Sequence, residues 1–380
     1  MVSVNFFLKL YYNWWKNIDK KILFLILLLF GLSLFFSLSS TSLIASEKLN
    51  TEDYYFFFKH LIFVLLGFII IFIFSSLEKF YLIKISKILF ILSLILLVIV
   101  PFIGVEVKGS KRWLDFLFLP RFQPVEILKP FFIVMVVSIL ASESSKNIYF
   151  KYSLSFILVL IIIFLLISQP DVGQSLLIFL TWLSIIFVSG INLYIFSFLF
   201  LLMFTSLGII LIFFPKYQYI VLRLKSFFDP SAGNSYQSDK ASEAISSGGF
   251  FGKGIGEGVL KNTVPEVHTD YVISAISEEF GFVIILLLMA IFLLFSYMIF
   301  KKISEEKNNN FKLVLFGSTI IILLQFFIHL GVNINLLPTT GMTLPFISYG
   351  GSSIISTSLI SGIILNLTKR EFKFKWKKKF

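Results

Sequence analysis

Val264-Pro-Glu-Val-His-Thr-Asp-Tyr-Val-Ile-Ser-Ala-Ile-Ser-Glu-Glu-Phe-Gly281 joins the longest polar loop of the chain to a long apolar segment, and it carries His268, Asp270, Glu278 and Glu279 to the edge of that segment. A helix starting near Asp270 has a 3.6-residue period that sets Asp270, Ser274, Ser277, Glu278 and Gly281 on one stripe and Glu279 on the opposite side. Carboxylates facing lipid are very costly, so the stripe is expected to face a protein interior or a wet cavity. The plainer role for Asp270 is that of a helix-entry residue, its charge favouring the dipole.

The apolar segment that follows is one of many. Over 380 residues, 57% are hydrophobic and only 14% charged, with a mean hydropathy of +0.93. No soluble domain covers that much apolar surface, so the chain is an integral membrane protein. There is no cysteine, which removes disulfides and thiol chemistry. The three histidines, His60, His268 and His329, are too dispersed in sequence to suggest a histidine-rich metal site.

Runs of 17 to 25 apolar residues span a bilayer. They fall at 21–45, 57–76, 86–104, 125–142, 152–169, 173–190, 191–214, 271–300, 313–336 and 350–367, an all-α polytopic membrane protein of about ten transmembrane helices. The chain reads as one domain over 1–380, with a large extracytoplasmic loop at 215–270 between the seventh and eighth helices and a basic tail at 368–380. The first segment is too long for a signal-peptide core and is expected to be retained.

Lys and Arg set the orientation. Lys9, Lys16, Lys20 and Lys21 precede the first span; Lys79, Lys84 and Lys87, then Lys146 and Lys151, then Lys301, Lys302, Lys307 and Lys312 occupy alternate loops; and the carboxyl tail is strongly basic. With ten spans these lie on one side, so both termini are expected to be cytoplasmic. Two outer loops break the rule. One holds Lys108, Lys111, Arg112 and Arg121, the other Lys216, Arg223, Lys225, Lys240, Lys253 and Lys261. Basic residues kept where topology disfavours them suggest an anionic ligand at the outer face, and a phosphate-bearing lipid fits. Long translocated loops escape the charge rule anyway, which accounts for the second loop but poorly for the first.

Individual stretches carry further expectations. Pro124 suits the first turn of a helix in which Glu126 and Lys129, three apart, can pair; either they form a structural ion pair or they line the same cavity as Asp270. Pro130 removes a backbone donor inside that helix, so a kink is expected. Pro170 and Gly173 make a tight connection in which Asp171 can cap the next helix. The glycine-rich run 246–258 permits close backbone approach but lacks a P-loop ending, and no nucleic-acid or nucleotide site is expected. Leu337-Pro-Thr-Thr-Gly-Met-Thr-Leu-Pro-Phe-Ile-Ser-Tyr-Gly-Gly-Ser-Ser353 reads as a broken, re-entrant-like segment, tolerated only against protein or water.

Taken together, Lys111-Arg-Trp, Gln123-Pro-x-Glu-x-x-Lys129, Gln169-Pro-Asp-x-Gly173, Tyr236-Gln with Gly248-Gly, Pro265-Glu-x-His-Thr-Asp270 with Glu278-Glu-x-Gly281, and the run Leu337 to Ser353 resemble the SEDS family of peptidoglycan glycosyltransferases, in order and over nearly the whole chain. Gly256-Glu-Gly258 with Lys261, and Thr339 to Phe346, are more similar to the division branch than to the elongation branch. Val125 stands where Ser is usual, and Tyr271 where Phe is common.

The resemblance implies polymerisation of lipid II at the outer face of the cytoplasmic membrane, with Asp270 matching the family's essential aspartate. A sugar hydroxyl loses its proton as it attacks an anomeric carbon, and an Asp at the mouth of a polar cavity can accept it. The leaving group, undecaprenyl diphosphate, needs cations rather than a general acid. Lys111, Arg112, Arg223, Lys225 and Lys261 are the candidates, with Glu126, Lys129, His268, Thr269, Glu278, Ser348 and Tyr349 also expected at the substrate. A divalent cation, Mg or Mn, is conceivable beside the diphosphate because Asp270, Glu266 and Glu278 offer oxygen ligands, although their spacing specifies no site. A class B penicillin-binding transpeptidase, other division proteins and a septal location are implied by resemblance only. Alternatives are a lipid II flippase, an elongation-type polymerase, an intramembrane Ser-His protease, which lacks its nucleophile elbow, and a division scaffold.

Overall fold

Charged residues break the apolar sequence at intervals that a bilayer imposes, and each long apolar stretch satisfies its backbone polar groups internally by coiling. The computed structural model describes residues 11–41, 54–107, 109–116, 119–142, 147–213, 217–229 and 236–369. Lys9, Lys48, Lys108, Lys146, Lys216 and the basic tail beyond Lys369 lie outside the described residues.

Helices take up all ten expected spans: α1 Lys20–Phe36, α2 Tyr55–Ser76, α3 Lys79–Ile103, α4 Pro124–Leu140, α5 Ile148–Ser168, α6 Val172–Val188, α7 Leu193–Phe213, α10 Val272–Glu305, α11 Asn309–Asn333 and α12 Gly351–Thr368. Seven of them, α4, α6 and α7 excepted, are long and apolar enough to cross a membrane by length and composition. Between α7 and α10 the large loop folds into α8 Gln218–Phe228 and α9 Tyr236–Gly248, both invisible to a search for apolar runs.

Two helices form the centre. α4 is buried along most of its length, from Pro124 to Leu140, and continues through Pro130. α12 is the least apolar of the seven long spans and the most enclosed, because Ser and Gly rather than bulky residues let neighbours approach. Its partner α2 comes so close that a Cβ on Gly67 would stand 2.5 Å from Ser358 Oγ, and one on Gly362 2.7 Å from Phe74 Cβ. Small residues at the contact are how helices associate where lipid offers no hydrophobic driving force. Outward, Phe24, Ile62, Ile69, Ile91, Phe164 and Leu293 are exposed, as a lipid-facing mantle requires.

The loop before α4 departs from the all-helical expectation. β1 Val105–Val107, β2 Ser110–Phe116 and β3 Leu119–Phe122 form a small antiparallel meander in which Glu106 stands opposite Lys111 and Leu114 opposite Phe122. Leu114 is buried, while Lys111 and Asp115 face out. This meander delivers the chain into α4 and aims Arg112 at the α5–α6 connection.

Candidate active site

Asp270 is held at the junction of three elements. Glu266, in the left-handed region at φ 53°, turns the chain so that its carbonyl accepts the amides of Thr269, Asp270 and Tyr271 at 3.1, 3.1 and 3.3 Å. α10 then starts at Val272, which leaves Asp270 just outside the positive end of the helix. Val264 and Val267 are buried and pin this turn to the core; Asp270 itself stays partly exposed.

The broken segment between α11 and α12 closes the other side. Ser348 Oγ donates to the Thr269 carbonyl at 2.7 Å and accepts the Leu344 amide at 2.8 Å, while the Tyr349 amide donates to the His268 carbonyl at 3.0 Å. Asn333 Nδ2 donates to the Asp270 carbonyl at 3.1 Å and to that of His329 at 2.9 Å. Gly341, at φ 67°, passes the Asp270 carboxylate so closely that a Cβ there would be 3.5 Å from Oδ2. Beneath, His60 Nε2 meets Ser33 Oγ at 2.6 Å, and that hydroxyl also lies 3.1 Å from the Ile347 carbonyl. Phe56, His60 and His268 surround the Tyr349 ring, and burial pushes its phenol up to about 12. Tyr271 is likewise raised, first by burial and then by the Asp270 charge, with Arg223 pulling the other way.

Around this centre the expected residues divide. Arg223 Nη1 donates to the Thr339 carbonyl at 3.4 Å, which sets a guanidinium on the broken segment. Arg112 donates from Nε to the Gln169 carbonyl at 3.1 Å and from Nη2 to that of Pro170, and its Nη1 stands 3.9 Å from Asp171. Asp171 caps α6, accepting the Gln174 amide at 3.4 Å; burial raises its carboxyl, partly offset by Arg112. The connection reaches the site through Gly173, whose Cβ position is 2.8 Å from the Thr340 carbonyl.

Glu126 and Lys129 are a fully enclosed ion pair, Nζ to Oε2 2.7 Å. Gln174 donates to Glu126 at 2.8 Å; Lys129 donates to Gln325 at 3.1 Å, and Gln325 in turn donates to the Thr343 carbonyl at 2.9 Å. The pair thus braces the broken segment from below. Lys111 and Lys225 are exposed.

Glu278, Glu279 and Lys261 do not join the Asp270 cluster. Both carboxylates are buried, and residues 271–279 are enclosed all round, so the stripe and the side that holds Glu279 alike face protein. Glu278 accepts the amides of Val259, Leu260 and Lys261 at 3.0, 2.9 and 2.6 Å and the Lys253 ammonium at 3.1 Å. Glu279 pairs with the buried Lys261 ammonium and accepts from Ser40 Oγ and, at 3.1 Å, the Gly256 amide. These four charges strap the glycine-rich loop to α10. Gly281, at φ 76° and ψ −176°, interrupts the helix, and the amides of Phe282 and Val283 donate instead to the loop carbonyls of Gly249 and Phe250 at 3.0 and 3.2 Å.

Asp270, Glu266 and Glu278 are therefore not gathered as metal ligands, and no group of three or more His, Asp or Glu suited to a metal ion occurs among the described residues. The supports that sequence did not single out are Asn333, His60, Ser33, Gln174, Gln325, Ser40 and Lys253. Asn333, Gln174 and Gln325 were detectable as polar residues within apolar helices.

A family model described as "Cell cycle protein", FTSW_RODA_SPOVE, matches residues 20–373. The probable peptidoglycan glycosyltransferase FtsW of Caulobacter vibrioides is 31% identical over 361 residues, 94% of this chain and 90% of its own length. That of Wigglesworthia glossinidia brevipalpis is 34% identical over 354 residues, 91% and 92% respectively. Two solved structures, each 24% identical, share the fold. A chain of a peptidoglycan synthase complex that coordinates polymerization and crosslinking superposes with a TM-score of 0.76, covering 92% of this chain and 97% of that one. The rod shape determining protein RodA of Thermus thermophilus gives 0.68, with 92% and 96% covered. The match over 354 consecutive positions and the shared helical architecture have one reading: this chain belongs to the FtsW/RodA/SpoVE family.

Proposed function

We propose that the protein is a peptidoglycan glycosyltransferase that polymerises lipid II at the outer face of the cytoplasmic membrane, with Asp270 as general base. The observation that carries this reading is a contrast in accessibility. Glu126, Asp171, Glu278 and Glu279 are buried, whereas Asp270 is partly exposed between a helix N-terminus and the broken segment.

In the reaction, a sugar hydroxyl attacks the anomeric carbon of a lipid-linked donor. The hydroxyl proton passes to the Asp270 carboxylate as the new glycosidic bond forms, and the anomeric bond to diphosphate breaks. Arg223, bonded to the Thr339 carbonyl, is the cation we assign to the departing diphosphate, with exposed Lys111 of β2 and Lys225 of α8 as further candidates. Arg112, Lys129 and Lys261 serve instead as braces, each already bonded within the protein. His268, Thr269, Ser348 and Tyr349 hold the loop that presents Asp270.

The basic residues of alternate loops support cytoplasmic termini. The FtsW relatives support a septal, division role, and the similarity to a chain of a synthase complex that also crosslinks supports work beside a transpeptidase. Asp270→Asn in purified protein supplied with lipid II tests the reading. Binding with no polymer fits a general base; normal polymer yield rejects it. A flippase would still move lipid II in vesicles, and a scaffold would tolerate the change.

A further inference from the structure

We propose that a second, separate cavity at the opposite end of the helices is a phosphate-binding site, filled by the headgroup of an anionic phospholipid of the inner leaflet. The cavity, about 460 Å³, lies between the start of α1 and the carboxyl-terminal turns of α10. Lys16, Lys20, Lys21, Lys301 and Lys302 line it, against two carboxylates, Asp19 and Glu305. The lining therefore carries a surplus of three positive charges.

The carboxylates are both turned to one lysine. Lys302 Nζ stands 3.4 Å from Asp19 and 3.2 Å from Glu305. Asp19 is occupied further by capping α1, accepting the amides of Lys21 and Ile22 at 3.1 and 3.3 Å. The Lys20 ammonium lies over the Trp15 ring, 5.2 Å from its centroid. Lys21 and Lys301 are exposed and have no carboxylate within 4 Å among the described residues. Trp15 and Tyr297, 42% and 65% exposed, stand beside the cavity, as aromatic residues do at headgroup level.

Positive-inside anchoring requires only lysines scattered along a rim. It gives no reason for two segments far apart in sequence to line with five of them one concavity of the size that holds a small ligand. A phosphodiester with its two acyl chains lying against the exposed flanks of α1 and α10 answers the charge and the apolar border together. The inner-leaflet assignment rests on the orientation proposed above; the phosphate site does not.

The test uses the full-length protein in nanodiscs of phosphatidylcholine alone or with added phosphatidylglycerol, reading the lipid retained after detergent extraction by mass spectrometry. Each lysine bonded directly to a charged phosphate contributes a factor of about ten, so Lys21→Gln with Lys301→Gln should weaken retention of phosphatidylglycerol by roughly a hundredfold. Lys307→Gln with Lys312→Gln removes the same charge from the same face and should change retention little. Equal losses in the two pairs would reduce the site to general surface charge and overturn the proposal. Inorganic phosphate added to phosphatidylcholine discs separates the sources: protection from heat equal to that of phosphatidylglycerol would overturn the lipid assignment in favour of a soluble anion. Both leaflets carry the same lipid and no glycan is made, so the outcome is independent of orientation and of polymerase activity.

Discussion

Lys261→Met should uncouple the glycine-rich loop from α10. The Lys261 ammonium and the Glu279 carboxylate are each less than a tenth exposed. Removing one partner of such a pair leaves a charge in a medium that does not solvate it, a loss of about 3–5 kcal/mol. Glu279 keeps two neutral donors, Ser40 Oγ and the Gly256 amide, so the lower end, about 3 kcal/mol, is expected. Glu279→Gln added to Lys261→Met removes the stranded charge and should recover about 2 kcal/mol of that loss, whereas Glu279→Gln alone strands the ammonium and is itself destabilising. The assay is heat-induced loss of the monodisperse species in detergent, paired with limited proteolysis after Lys253, which lies in the strapped loop. Strict additivity of the two substitutions would refute the claim that these groups neutralise one another in the fold. So would a Lys261→Met protein as stable as the parent with greatly weakened lipid II binding, because that outcome belongs to a ligand-facing cation.

Three further outcomes follow from the geometry. Gly281→Ala forces a side chain into a left-handed conformation with its Cβ 2.4 Å from both the Gly252 nitrogen and the Phe250 oxygen, so a loss of about 2 kcal/mol or more is expected, read as a lower midpoint of thermal aggregation. Arg112→Lys keeps the charge but loses the fork that reaches Gln169, Pro170 and Asp171; polymer yield and stability should both fall, whereas a simple point-charge role at phosphate would leave yield intact. Ser348→Ala removes the bridge between Thr269 and Leu344, at about 1–3 kcal/mol, and should lower turnover more than lipid II binding in single-turnover measurements.

Sequence made the spans legible because lipid demands apolar length, and the same logic set Asp270 at the start of the eighth helix, which begins at Val272. Asp171 as a helix cap and Glu126 with Lys129 as an ion pair were also readable, since both depend on residues within four positions of each other. What sequence left out depends on contacts across long separations. Glu279, which the helical period sets away from the stripe, is met by Lys261 from a loop 18 residues upstream, a pairing that spacing does not reveal. Arg112 and Lys261 looked like ligands for an external anion because their internal acceptors, two carbonyls and a carboxylate, cannot be paired with them from spacing. The meander at 105–122 was missed because a search tuned to apolar runs passes over short strands.

The interruption at Gly281 also makes α10 and the loop before it depend on each other. Phe282 and Val283 hand their amide hydrogens to Gly249 and Phe250, and acyl chains have no acceptor to substitute. Unless residues 249–250 are folded against it, the eighth helix carries two unmet donors, each costly in an apolar surrounding. A hydrophobic segment and the polar hairpin before it therefore make one cooperative unit, in which the helix completes its hydrogen bonding only when the loop lends it two acceptors.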